Sequence, residues 1–76
     1  MKRTILDTLK EENIKLEDIV LFHRERDIYE GIVLYGLTIE YRDPALFGAK
    51  SVLMECIEDK DEWNKLTKEV IDYLRS

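Results

Sequence analysis

The chain has 76 residues, 17 of them acidic and 12 basic, for a formal net charge of −5. So short a chain makes one domain, spanning 1–76, and buries only about 60–65% of its unfolded surface, which leaves a thin core. Hydrophobic residues at 45% and charged residues at 38% exclude a disordered composition, and the acidic balance disfavours phosphate-driven binding of nucleic acid.

Residues 4–12 predict a short helix. Thr4 and Asp7 have capping-box spacing, Ile5, Leu6 and Leu9 form an apolar stripe, and Asn13 is the stop. Residues 16–26 can be read two ways. The β-branched and aromatic run Ile19-Val20-Leu21-Phe22 favours a buried strand, whereas Leu16, Ile19, Val20 and His23 also fit a helical face; strand is the preferred reading. From Ile28 to Tyr41 the strand signal strengthens, with Tyr35, Leu37, Ile39 and Tyr41 alternating with Gly36, Thr38 and Glu40. At ~3.3 Å per residue this stretch would run about 46 Å, too long for one straight strand, so Gly31 or Gly36 marks a bulge, bend or turn.

Residues 42–48 predict a loop around Pro44, in which the apolar Leu46 and Phe47 have the structural reading of capping an open end of the core. Lys50 to Ile57 reads as a strand with Val52, Met54 and Cys56 on one face and Leu53 and Ile57 on the other, a pattern that suits a central strand. Residues 60–75 give the clearest helix: Trp63, Leu66, Val70 and Tyr73 step by three and four, widened by Ile71 and Leu74. Asp59, Asp61 and Glu62 favour its start and Arg75 its end, and Asp61 with Lys65 has ion-pair spacing. The expected fold is therefore a two-layer α+β domain in the order α-β-β-β-α. It has a three-stranded antiparallel sheet with the N- and C-terminal helices packed on one face.

This order of elements resembles that of a double-stranded-RNA-binding domain. That family places a lysine-rich motif at the start of its last helix. The matching stretch here, Glu58-Asp59-Lys60-Asp61-Glu62-Trp63, has four acids among its six residues and would repel RNA. The resemblance is one of topology, and no function is carried over with it.

No grouping of residues points to catalysis, to a cofactor or to a metal. His23, the sole histidine, has no partner in sequence that makes a dyad recognisable, and it reads as a strand residue at the edge of the core. With one His and one Cys, the further ligands of a zinc site could only be carboxylates, which is poor zinc chemistry. Asp59 and Asp61 imitate the start of a calcium loop, but Asn64 and Val70 stand where its glycine and bidentate glutamate belong. Cys56 excludes an intramolecular disulfide and reads as an inert core thiol. Tyr29, Tyr35 and Tyr41 share parity; they read as cover for the sheet beneath the helices, against a stacking platform for bases. No apolar run approaches the ~20 residues of a membrane span, and Asp7, Lys10, Glu11 and Glu12 interrupt any signal-peptide core after Met1-Lys2-Arg3. Met1 reads as the chain's own start, and a cytoplasmic location is expected.

Two functions remain. The first is a small acidic, non-catalytic protein–protein interaction module: an adaptor, regulator or inhibitor. Its partner would be another protein, basic or nucleic-acid-handling, and a homodimer through a sheet edge or surplus apolar helix surface is compatible with it. The expected contact residues are Leu46 and Phe47 together with Glu58, Asp59, Asp61 and Glu62. The alternative is a nucleic-acid-binding domain in which the sheet gathers Arg24, Arg26, Arg42 and Lys50 into a basic patch.

Overall fold

The computed structural model describes residues 3–76. Thr4 starts the first helix, α1 (Ile5–Glu11), through a capping box. Its hydroxyl accepts from the Asp7 backbone N–H, and the Asp7 carboxylate accepts from the Thr4 N–H at 2.9 Å. Asn13, at φ 56°, ends the helix in the left-handed region and turns Ile14 into the core. One 3₁₀ turn (Leu16–Asp18) leads into β1 (Ile19–Tyr29), so the ambiguous segment is strand. Glu30 and Gly31, at φ 50° and 80°, form the two-residue turn into β2 (Ile32–Asp43). Positive φ at both positions matches the right-handed twist of the flanking strands.

Of the two glycines read as candidate breaks, Gly31 makes the turn. Gly36 stays in register within β2. A Cβ on Gly36 would lie 3.0 Å from Glu25 Cγ, so the missing side chain makes room for Glu25 to lie across the strand. Asp43 caps a second 3₁₀ turn (Pro44–Leu46) by accepting from the Ala45 N–H at 2.9 Å. Phe47 and Gly48, at φ 55° and 82°, then return the chain into β3 (Ala49–Ile57). Asp59 accepts from the Asp61 N–H at 2.9 Å and caps α2 (Lys60–Leu74).

The three strands form one antiparallel sheet in the order β1-β2-β3, with both helices on one face, as the sequence pattern predicts. Leu37, Ile39 and Tyr41 of β2 lie on the covered face with Ile57 of β3, beneath Ile5, Leu6, Leu9 and Ile14 from the N-terminus and Leu66, Val70 and Leu74 from α2. Ile19, Phe22, Leu53, Trp63 and Tyr73 pack around this core half-buried. The Tyr73 hydroxyl donates to the Leu9 carbonyl at 3.2 Å and ties α2 to the end of α1.

Several expectations are corrected. β2, not β3, is the central strand: position in the sheet follows hairpin order, and the second apolar face of β3 is left open to solvent. Leu46 and Phe47 do not cap the core; Leu46 is exposed and Phe47 fully so. Cys56 is exposed, not a core thiol. The turn at Glu30–Gly31 puts Tyr29 opposite Ile32, on the face away from Tyr35 and Tyr41, so the three tyrosines do not share a side. On α2 the ion pair forms between Lys68 and Asp72 at 2.8 Å, about two turns further along than Asp61 and Lys65.

β3 pairs with β2 only from Tyr35 to Asp43. Beyond that, Asp27 to Leu34 continue as a two-stranded arm. The arm draws the molecule out to 42 × 22 × 22 Å.

Candidate functional site

Antiparallel register places direct cross-strand partners on the same face. The face opposite the helices therefore carries the rows Arg42–Lys50, Leu21–Glu40–Val52, His23–Thr38–Met54, Glu25–Gly36–Cys56, Asp27–Leu34 and Tyr29–Ile32. Its middle is apolar and open: Leu21 is 45%, Val52 54% and Met54 67% exposed, with the Cys56 thiol beside them. The ends carry opposite charge. Arg42 and Lys50 stand at one end, Lys50 reaching Glu40 at 3.4 Å. Glu25 and Asp27 stand at the other, with His23 Nε2 3.8 Å from the Glu25 carboxylate.

The covered face is built differently. Arg24 lies with its guanidinium carbon 3.6 Å from the centre of the Trp63 ring and donates to Asn64 Oδ1 at 2.6 Å. The Trp63 indole N–H donates to the Gly36 carbonyl at 2.9 Å, and its ring sits 4.9 Å from that of Tyr35. Arg24 therefore clamps β1 to α2. Tyr41 is buried and donates its hydroxyl to Glu12 at 2.8 Å. Burial first, then that hydrogen bond and the Glu12 and Asp43 charges, push its pKa up to about 12.

The residues expected to form sites are thus dispersed. Arg24 and Arg26 pair with Leu37 and Tyr35 on the helix side, whereas Arg42 and Lys50 sit on the open face at the other end. The four do not make one basic patch. Leu46 and Phe47 precede β3 and the acidic stretch follows it, about 26 Å apart along a nine-residue strand, so they do not form one surface either. Within that stretch Asp59 is the helix cap, and Asp61 and Glu62 lie in the first turn, where the macrodipole favours acids; Glu58 is exposed. Glu55 on β3 accepts from the Ile5 N–H at 2.8 Å and so serves the start of α1.

Outside the open face, a groove of about 230 Å³ runs between Leu16, Ile19 and Phe22 on one side and Ile71 and Leu74 on the other. A wider, more open hollow of about 470 Å³ adjoins it at Lys15, Leu16, Glu17 and Leu74. Among the described residues no three His, Cys, Asp or Glu side chains converge to hold a metal ion. Among them, too, no helix is long and apolar enough to cross a membrane.

Sequence reasoning did not single out the open face. Its signal was present in residues 50–57, where both faces are apolar although two short helices can cover only one. Comparison with family models, with curated proteins and with solved structures finds no match to this chain.

Proposed function

We propose that this chain is a small, non-catalytic protein-binding module of the cytoplasm, an adaptor, regulator or inhibitor, and that its contact surface is the open face of the sheet. The observation that carries this reading is the exposed band Leu21, Val52 and Met54, rimmed by charge at both ends. A thin core gains stability from every apolar side chain it covers, and these three lie within reach of one another yet remain in water. An apolar patch with a charged rim marks a protein contact surface. Met54 suits such a surface, because an unbranched thioether adapts to what it meets. Leu46 and Phe47 stand next to the basic end and would extend the contact.

Two variants test the reading: Met54→Asp with Val52→Asp, and Glu62→Gln as a surface control. Each is used as bait in lysate of the native cell, and captured chains, including this one, are identified by mass spectrometry. A chain captured by wild type and by Glu62→Gln but lost from the double variant supports the open face. Equal capture by all three, or capture of nothing, overturns it.

A further inference from the structure

We infer that the open sheet face is occupied by a second copy of this chain, packed face to face and antiparallel about a two-fold axis. This rests on the reading of that face as a protein contact surface. The first argument is charge complementarity. The acidic pair Glu25 and Asp27 lies three and four rows along the same face from the basic pair Arg42 and Lys50, about 20–27 Å away at ~3.3 Å per residue. A two-fold axis across the strands reverses one copy, so each basic end meets the partner's acidic end. The row midway between Arg42 and Asp27 is His23–Thr38–Met54. The axis therefore passes beside Met54, the most exposed apolar side chain of the three strands' shared region, and sets it against the partner's copy of the same band.

The second argument is area. The chain exposes 5502 Å², against about 4,900 Å² for a compact monomer of its mass. Its radius of gyration is 12.9 Å, against about 11.4 Å for a compact chain of this length. The arm, whose Tyr29, Ile32 and Leu34 continue the open face past the third strand, contributes to that extension. An antiparallel partner lays its own sheet toward that arm.

The test is sedimentation equilibrium of the purified chain from ~10 to ~500 µM in ~50 mM salt, where surface charge is least screened. A species of twice the 9.1 kDa chain mass is expected. Two charge-reversed variants follow, Arg42→Glu with Lys50→Glu, and Glu25→Lys with Asp27→Lys. Each alone meets like charge at both ends, and its dimer dissociation constant should rise at least about tenfold. Mixed in equal amounts they should form a heterodimer tighter than either homodimer, because every end then faces its opposite. Met54→Asp should be monomeric, with an unchanged far-ultraviolet circular dichroism spectrum showing that it is folded. A wild-type monomer throughout overturns the proposal, and so does a dimer indifferent to all these changes. A wild-type monomer whose captured partner is nonetheless lost in the Met54→Asp, Val52→Asp variant overturns self-association alone and leaves the protein-binding reading standing.

Discussion

Single side chains in this molecule carry more than one connection. Trp63 gives its ring to Arg24 and Tyr35 and its N–H to the Gly36 carbonyl, so one residue joins β1, β2 and α2. Phe47 does the reverse. It holds a left-handed backbone that favours Gly or Asn, and its ring packs on nothing in the chain. The fold itself gives no reason for this residue, and the proposed contact surface would supply one. Tyr41 has a consequence in pH. Its pKa rises from 10.0 to about 12 because the neutral hydroxyl is buried against Glu12. Below pH 10 both folded and unfolded chains hold this proton, and the full stability is present. As pH climbs from 10 through 12 the unfolded chain loses the proton first, and about 2–3 kcal/mol is lost. In an absorbance titration at alkaline pH, one of the four tyrosines should ionise last, together with unfolding. Tyr41→Phe should be less stable at pH 8 and lose less stability between pH 10 and 12.

At the level of elements, the arm is the least supported part of the sheet. A hairpin without a third strand or a helix over it is marginal in water. Its turn adds strain, since Glu30 sits at φ 50°, where the Cβ crowds the backbone carbonyl. Glu30→Asn places a residue suited to that region before Gly31 and should raise the stability of the arm by several tenths of a kcal/mol. Slower amide hydrogen exchange at Ile28 to Val33, relative to β3, would register it; unchanged exchange would show that the turn does not limit the arm. Both helices, with their caps at Thr4 and Asp59, were legible in the sequence because helix starts are written in local spacing. So was the alternation of residues 35–41 that supplies Leu37, Ile39 and Tyr41 to the core. The fate of residues 50–57 was not, because alternation tells which side chains share a face and not whether anything covers that face. The dispersal of Arg24, Arg26, Arg42 and Lys50 escaped for a related reason. Faces depend on register, and the pairing of Arg24 with Leu37 and of Arg26 with Tyr35 is set by the turn at Glu30–Gly31, which the spacing of the glycines left open between Gly31 and Gly36.

The whole molecule is a sheet clothed on one side. A 76-residue chain with two short helices can shield one face of three strands and no more, so the apolar content of β3's other face has to be tolerated in water or covered by another chain. Cys56 offers a direct readout of which holds. It lies on the open face, in the row next to His23–Thr38–Met54, about two rows at most from any two-fold axis passing there. In a face-to-face dimer its thiol is shut in by the partner strand, whereas in a monomer it is free to react at every concentration. The second-order rate constant for alkylation by a maleimide should therefore fall about fivefold as the protein is concentrated from ~10 to ~500 µM, following the monomer fraction of a dimer with a dissociation constant of about 10 µM. In Met54→Asp the same constant should stay at the dilute value throughout. A wild-type rate constant that does not change with concentration would mean that the open face stays wet on its own.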